Sequence, residues 1–419
     1  MKNKIITGIE LGSSKASAIV AQIVEDETTF EQKINVIGVS LVESRGVKKG
    51  QIVNIEEAVE SAVTALEAAE RMAGHDTDFV YASLGGAHIH SQNSHGVVAV
   101  SGTNNEITSA DVERVIEAAS AISLPASREV VHVLPREFIV DGEAGVKDPV
   151  GMSGVRLEVE THVVTASSAA TKNLSKALTE SGVRLNDMVF SGIASSLSVL
   201  TETEKELGCV LVDIGAGTTS VACFVDGALA YSGVIPVGAK NVTNDIAIGL
   251  RVSLDSAEKI KMYLSDSKKN TGDEMDLASI GISEVTKVSR KTLVEGIIRP
   301  RLNEIFTMVR LELEKEKLIN RIPSGAIITG GGAYTVGAVD SGKRMLAIPV
   351  RIGLPRGVSG LIDDCIDPKF STCIGLIKYA VSSDHDQKDE GGFKLPLKLN
   401  LPGKGFLNKI IESVKDLLP

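Results

Sequence analysis

Val210-Leu211-Val212-Asp213-Ile214-Gly215-Ala216-Gly217-Thr218-Thr219-Ser220-Val221 is the stretch on which the reading of this chain turns. An apolar run rich in β-branched residues leads to an acid. A turn of glycines and hydroxyl residues follows, and a second apolar run, Val221-Ala222-Cys223-Phe224-Val225, resumes at once. The pattern predicts a β-hairpin whose tip exposes backbone N–H groups and hydroxyls. Glycine lets a backbone approach an anion closely, so such a tip suits a phosphate. Asp213, just ahead of the tip, is placed to hold a divalent cation, through water as Mg²⁺ prefers. Standing alone, the stretch is an ordinary glycine-rich hairpin, and other segments have to agree with it.

The first agreement lies near the N-terminus. A short strand over residues 5–9 leads to Glu10-Leu11-Gly12-Ser13-Ser14-Lys15, and a second strand follows over 16–24. The acids Glu10 and Asp213 are 203 positions apart in a chain of 419 residues. A hairpin recurring at about half the chain length predicts two related halves facing each other across a cleft. Lys15 adds a point charge suited to phosphate, although a solvated hairpin lysine would look the same. The second agreement is Ala326-Ile327-Ile328-Thr329-Gly330-Gly331-Gly332-Ala333, a buried-strand pattern ending in three glycines before a helix. Those glycines suit close packing of backbone against a flat ring or a phosphate. Separately, a helix predicted over 256–264 carries Glu258 and Lys261 three apart on one face. On its own that pair is a surface salt bridge.

Composition bounds the rest. Hydrophobic residues make up 43% and charged residues 23%, enough for substantial cores and against global disorder. Aromatics are 3% with no Trp, so the cores must rest on Val, Ile, Leu and Ala. The formal charge of −10 disfavours nonspecific nucleic-acid binding, and no nucleic-acid partner is expected. Cys209, Cys223, Cys365 and Cys373 form no CxxC pair and read as free thiols. No apolar run approaches the ~18 residues of a membrane span, and the N-terminal apolar run is too short for a signal peptide.

Between the hairpins, Asn54 caps a predicted amphipathic helix with Glu57 at its third position, followed by a strand over 79–84. From Gly85 the texture changes. Short strands are predicted around Ile89 and over 97–100, 130–134 and 138–140, with a helix entered at Thr108 or Ser109. Strand alternation returns at Leu157, Val159, Thr161 and Val163. Residues 85–160 therefore read as a small α+β insertion within the first half. His88 and His90 share a predicted strand face, with His95 nearby, but no carboxylate or cysteine completes a ligand set. They read as polar surface histidines. A strand over 183–190 is joined by residues 191–196 to a further helix, and a basic run, Lys287-Val288-Ser289-Arg290-Lys291, precedes a long helix over 304–318.

Taken together, the two hairpins and the strand-GGG turn resemble the actin-like ATPase superfamily. The finer resemblance is to the FtsA family of bacterial cell-division proteins. It is carried by residues 44–50, by Asn173-Leu174-Ser175-Lys176-Ala177 and by Gly192-Ile193-Ala194-Ser195-Ser196. It continues through residues 242–247, Arg299-Pro300-Arg301 and Phe370-Ser371-Thr372-Cys373-Ile374-Gly375-Leu376. The resemblance spans nearly the whole chain. It implies an α/β, actin-like two-lobed fold with a 1C-type α+β insertion and a C-terminal amphipathic helix. Subdomain 1A would comprise 1–84, 161–192 and 361–381, with 1C at 85–160. Subdomain 2A would comprise 193–240 and 302–360, with 2B at 241–301. A flexible linker at 382–405 and a helix at 406–419 would complete the chain.

The resemblance also implies ATP and Mg as cofactors. Gly12, Ser13, Ser14 and Lys15 would meet the phosphates from one side and Gly215, Ala216, Gly217 and Thr218 from the other. Asp213 and Glu10 would face Mg. Gly238, Glu258, Lys261, Gly330, Gly331 and Gly332 would surround the ribose and adenine. Two departures stand out. Many actin relatives carry Asp where this chain has Glu10. Hydrolytic relatives place a Gln or Glu after the strand that ends near Phe190, where residues 191–196 offer neither. Loss of a positioned base commonly costs ~10²–10⁴ in rate, so slow hydrolysis at best is expected, with ATP as a conformational and polymerisation ligand.

The tail supplies a last expectation. Residues 382–392 are polar and charged, and beyond them Phe406, Leu407, Ile410, Ile411, Val414, Leu417 and Leu418 form one apolar stripe on a helix. That helix is too short to span a bilayer but can lie in its interface. Seven such side chains contribute at most ~10–20 kcal/mol if fully buried. Ordering the segment costs roughly 1–2 kcal/mol per residue, so one tail should bind reversibly and a filament of tails by avidity.

The function implied is an ATP-binding protein that polymerises on the cytoplasmic side of the inner membrane at the division site. It would anchor FtsZ filaments there and recruit later divisome proteins through residues 85–160. Its partners would be the FtsZ C-terminal peptide, membrane lipid and further copies of itself. Lys287, Arg290, Lys291 and Arg301 are candidate contacts for the acidic FtsZ peptide. Two alternatives share the fold. A small-molecule kinase would need a catalytic acid in the cleft, for which no candidate is seen. An ATP-binding scaffold of type IV pilus assembly accounts less well for the terminal helix.

Overall fold

The computed structural model describes residues 4–25, 32–266, 272–283 and 287–388. The interfacial helix expected over 406–419, and most of the linker ahead of it, lie outside the described residues.

The first lobe begins with a meander of strands β1 (Lys4–Leu11), β2 (Lys15–Glu25) and β3 (Gln32–Glu43). A two-residue pair, β4 (Val47–Lys48) and β5 (Gln51–Ile52), leads to helix α1 (Ile55–Ala73) and strand β6 (Phe79–Leu84). Asn54 caps α1 by accepting from the Glu57 N–H, and Gly74 ends it in the left-handed conformation at φ 69°. The chain then leaves for the insertion and returns through α3 (Ser168–Glu180) and β11 (Arg184–Phe190). The sheet runs β11-β6-β1-β2-β3-β19, where β19 is Ser359–Gly360. Alternation along β2 sends Ala16, Ala18 and Val20 to the face under α1, and Ile19, Ala21 and Ile23 to the opposite face. Gly38 has to be glycine because a Cβ there would stand 2.3 Å from the Ala69 carbonyl of α1.

The insertion is a four-stranded antiparallel sheet, β7-β10-β8-β9, from β7 (His90–Ala99), β8 (Arg128–Val140), β9 (Glu143–Val146) and β10 (Arg156–Ser167). Helix α2 (Ser109–Ser120) covers one face and is capped by a reciprocal Thr108–Asp111 box. Its apolar stripe, Val112, Val115, Ile116 and Ala119, packs into a core with Phe138, Leu157 and Val163. Two expectations change here. The short strands read at 130–134 and 138–140 are one continuous strand, because Pro135 and Arg136 at a β-bulge interrupt the hydrophobic alternation without ending the pairing. The boundary at 160 falls inside β10, which continues to Ser167.

The second lobe repeats the first. Helices α4 (Ser191–Val199) and α5 (Glu202–Leu207) lead to β12 (Cys209–Ile214), β13 (Thr219–Val225) and β14 (Ala228–Ile235). Every residue of β12 and β13 is buried, the continuous apolar pattern of strands covered on both faces. With β17 (Ala326–Thr329) and β18 (Val350–Ile352) the sheet order is β14-β13-β12-β17-β18, three antiparallel strands and then two parallel ones. The first lobe has the same arrangement in β3-β2-β1-β6-β11, so the recurring hairpin does mark a duplicated sheet.

Between β14 and β17 a subdomain with its own core is built from α6 (Ala239–Leu250), α7 (Leu254–Ser265) and the pair β15 (Glu274–Asp276) and β16 (Lys287–Ser289). The helix expected over 304–318 starts earlier, as α8 (Arg290–Leu293), a π turn over Val294–Ile298 and α9 (Arg299–Lys315). Pro300 has no N–H to donate back, and the widened turn just before it absorbs that loss.

Residues 191–196, expected as a connecting loop, are the first turns of α4. After α10 (Ala338–Leu346), β18 and β19, the short α11 (Ile362–Cys365) leads to α12 (Ser371–Lys388). That helix continues past Ser382, where the linker was expected to begin. Helix α12 lies against α4 and the first sheet, while α4 touches both sheets. A Cβ on Gly375 would stand 1.8 Å from the Ala194 carbonyl, so the two helices meet backbone to backbone. All four cysteines are buried and free. Among the described residues, no helix is long and apolar enough to cross a membrane.

Candidate functional site

The two hairpin tips meet at the bottom of a cavity of about 420 Å³ between the lobes. In the first tip, the Gly12 N–H donates to the Lys15 carbonyl at 2.9 Å, and in the second the Gly215 N–H donates to the Thr218 carbonyl at 2.9 Å. Contact between them is direct: a Cβ on Gly217 would stand 2.8 Å from Ser13 Oγ. Ser13 Oγ also accepts from the Gly50 N–H at 3.0 Å, which brings the β4–β5 turn to the same wall. The second tip is anchored from behind by α6, whose Ala239 and Lys240 N–H groups each donate at 2.9 Å to the carbonyls of Gly215 and Ala216.

Most of the expected residues are brought together here. Glu10, Gly12, Ser13, Ser14, Lys15, Asp213, Gly215, Ala216, Gly217, Thr218, Glu258, Lys261, Gly331 and Gly332 all line the cavity. Gly238 and Gly330 do not. Gly238 packs against the carbonyls of Gly215 and Ala216, and Gly330, at φ +85°, backs Asp213, so both act as spacers behind the wall. Gly331 faces open space, with nothing within 4 Å of a built Cβ.

Three charges stand together beside the hairpin tips. Lys15 Nζ lies 3.3 Å from Glu10 Oε2 and also donates to the Lys369 carbonyl. Burial works against its charge, yet the Glu10 and Asp213 carboxylates hold its pKa above the usual lysine value. Asp213 is also pushed up, which for a carboxyl favours the neutral form. Burial raises its carboxyl to about 6, Glu10 adds to the rise, and a hydrogen bond from Ser195, the charge of Lys15 and Thr372 oppose it. Two carboxylates beside hydroxyls form an all-oxygen donor set of the kind Mg²⁺ takes. No group of three or more His, Cys, Asp or Glu able to hold a metal occurs among the described residues. A cation here would therefore complete its shell with water and ligand oxygens.

Elsewhere in the lining, Thr243 Oγ1 donates to Glu258 Oε2 at 2.6 Å and accepts from Lys261 Nζ at 3.0 Å. Lys261, which is buried, also pairs with the half-exposed Glu258 at 2.7 Å, and Thr243 ties this α7 pair to α6. Thr243 was not singled out in the sequence, and neither were Ser195 and Thr372. Nothing in their local pattern marks a threonine or serine as a partner of an acid far away in the chain.

Outside the cleft, the candidate peptide-binding cations are partly engaged. Arg301 is held by Asp245 at 2.6 and 3.0 Å and by Glu304, and Lys287 pairs with Glu274 at 2.5 Å. Lys291 is exposed and Arg290 half-buried, both in the first turn of α8. The histidine expectation is corrected: His88 lies in the turn before β7, not on its face, and is buried, with its ring accepting from the Ser167 N–H at 3.4 Å.

Residues 86–165 match the family described as "SHS2 domain inserted in FTSA", and residues 210–375 match "Cell division protein FtsA". The chain is 40% identical over 386 residues to the cell division protein FtsA of Pseudomonas aeruginosa, covering 91% of both chains. It is 35% identical over 390 residues to that of Escherichia coli, again covering 91% of both. With that of Bacillus subtilis it shares 36% identity over 396 residues, covering 94% of this chain and 87% of the relative. Among solved structures it resembles the PilM-PilN type IV pilus biogenesis complex, with a TM-score of 0.64 at 17% identity, covering 90% of this chain and 98% of that one. It also resembles MreB5 of Spiroplasma citri bound to ADP, with a TM-score of 0.52 at 15% identity, covering 93% and 99%. The fold is thus the actin-like one.

Proposed function

This chain belongs to the FtsA family of cell division proteins, and from that premise we propose that it is an ATP-binding, filament-forming adaptor of the division ring. In this reading it lies on the cytoplasmic side of the inner membrane, ties FtsZ filaments to that surface and recruits later divisome proteins. The observation that carries the nucleotide part is the meeting of the two hairpin tips at Ser13 and Gly217, with Glu10, Lys15 and Asp213 beside them. Actin-like neighbours described as bound to ADP or AMPPNP support the same reading.

The residues divide the work by chemistry. With the Gly12 and Gly215 N–H groups spent on closing their own turns, the backbone N–H groups and hydroxyls at 13–14 and 216–218 bind phosphate oxygens. Lys15 neutralises charge, and Asp213 with Glu10 orients a Mg²⁺ that offsets the remainder. Gly331 leaves room for a flat base beside Glu258, Lys261 and Thr243, while Gly332 lets the turn pack closely on Ile214 and Ala239. Hydrolysis is slow, because the position after β11 is Ser191, whose hydroxyl pairs with Ser220 at 2.9 Å, and serine is a poor proton acceptor. The bound nucleotide therefore acts mainly on lobe closure and filament formation. The expected apolar stripe from Phe406 to Leu418 supplies membrane attachment, the insertion supplies partner contacts, and Lys291 and Arg290 remain as candidate cations for an acidic FtsZ peptide.

Substitution in the cleft tests this directly. Gly331→Glu places a charged side chain into the cavity, and Asp213→Ala removes the cation-facing acid. Each should abolish ATP-dependent filaments seen by electron microscopy while leaving the circular dichroism spectrum unchanged. Normal filaments in both variants would refute the cleft assignment.

A further inference from the structure

Two buried hydroxyls outside the cavity lining converge on the acid that faces it. Ser195 Oγ donates to Asp213 Oδ2 at 2.5 Å, and Thr372 Oγ1 donates to the same oxygen at 3.3 Å. The hydroxyls lie 3.1 Å from each other, and their residues are 0% and 4% exposed. A carboxylate oxygen offers about two lone-pair directions, so Oδ2 is fully engaged from behind. The other oxygen, Oδ1, is hemmed by Gly330, where a Cβ would stand 2.2 Å away. Two donors on one oxygen and a glycine backbone beside the other leave the carboxylate one orientation.

The donors come from elements that join the lobes. Ser195 sits on α4, which carries the chain from the first sheet to the second. Thr372 sits in the first turn of α12, which packs on the first lobe. That same turn is tied to the second lobe: Ser371 Oγ lies 2.6 Å from Thr329 Oγ1, and the Pro368 carbonyl accepts from the Gly330 N–H at 3.2 Å. Ser198 Oγ of α4 closes the connection by donating to the Ser371 carbonyl at 2.7 Å. The support of Asp213 is thus built from the segments that connect the two lobes.

We propose that Ser195 and Thr372 are positioning residues that orient the Asp213 carboxylate toward the divalent cation of a bound nucleotide and make its placement depend on the angle between the lobes. The inference rests on the nucleotide reading above. Hydrogen bonds to a charged group favour its ionised form and fix its direction. Removing them weakens the contribution of the cation and leaves contacts made by the hairpin tips in place.

The test is calorimetric titration of the full chain with ATP, once with Mg²⁺ and once with EDTA. For Ser195→Ala and Thr372→Val, the Mg²⁺-dependent gain in affinity should fall about tenfold, with the EDTA affinity within about twofold of native. Thr372→Ser, which keeps the hydroxyl, should retain the native gain, a rescue that a purely packing role would not produce. Hydrogen exchange gives a second readout: Mg²⁺ and ATP together should slow exchange in α4 and α12 of the native chain and not of Thr372→Val. An undiminished Mg²⁺ gain in both folded variants would overturn the proposal alone. Absence of any ATP binding by the native chain would overturn the nucleotide reading and this inference with it.

Discussion

His162 is the single residue whose environment departs furthest from what its sequence neighbourhood announces. It lies on β10 amid apolar residues, is 1% exposed, and joins the insertion to the second lobe. Its Nδ1 lies 2.7 Å from Asn93 Oδ1 and its Nε2 lies 2.8 Å from Ser232 Oγ, while Asn93 Nδ2 donates to the Ala230 carbonyl at 3.4 Å. With the asparagine so oriented, Nδ1 carries the proton and Nε2 accepts from Ser232. Burial pushes the imidazole down to about 3, and the charge of Arg136 and the neighbouring His132 add to the fall. The folded chain therefore holds His162 neutral while the unfolded chain binds a proton below about pH 6.5. Its contribution to stability is complete above that pH and is lost as the pH falls toward 3, at up to about 1.4 kcal/mol per pH unit. The thermal midpoint of the native chain should drop between pH 6.5 and 5 more steeply than that of His162→Gln. Parallel pH profiles would refute this.

Helix crossings are where single glycines matter at the scale of elements. The α4–α12 contact depends on Gly375, and no other residue fits where a Cβ would stand 1.8 Å from a carbonyl oxygen. Gly375→Ala gains intrinsic helix propensity of about 1 kcal/mol in the second turn of α12, so an isolated helix would be stabilised. Overpacking a tight contact costs about 1–3 kcal/mol or more, and here backbone would have to move, so the crossing should dominate. The urea midpoint should therefore fall, because the overpacking cost exceeds the propensity gain, and a raised midpoint would show that the helices separate at little cost. Element identity itself was largely legible: the strand β2, the apolar run of β12 and the capped amphipathic α1 were all expected from pattern and punctuation. Boundaries were less so. Helix α4 begins at Ser191 because its small and polar residues, which read as a linker, are buried between two sheets. Strand β8 persists through Pro135 because pairing with β10 shifts register there and resumes.

For the whole molecule, the duplicated sheet makes the cleft, and the proposed interfacial tail would set where the cleft is used. If residues 406–419 form the interfacial helix, one copy binds a lipid surface reversibly and a filament binds by avidity. Co-sedimentation with anionic liposomes should then be strong for the intact chain with ATP and weaker for intact Gly331→Glu, which is expected to stay monomeric. It should be absent after deletion of residues 406–419. Unchanged recovery after deletion would remove the tether from the proposed function.

The sequence by itself determined what depends on neighbours along the chain. It specified two hairpins with acid-glycine tips, a strand running into three glycines, an inserted α+β segment, and cores of aliphatic residues. Each is written in local alternation, helical spacing or turn chemistry, which a short window contains. Tertiary structure alone decided what depends on residues far apart in sequence. Asp213 meets Thr372 across 159 positions, His162 meets Ser232 across 70, and Lys15 meets the Lys369 carbonyl across 354. A serine or threonine carries no local mark of the partner its hydroxyl will find. That partner is assigned only when packing of the two lobes buries both groups and requires each to find a hydrogen bond.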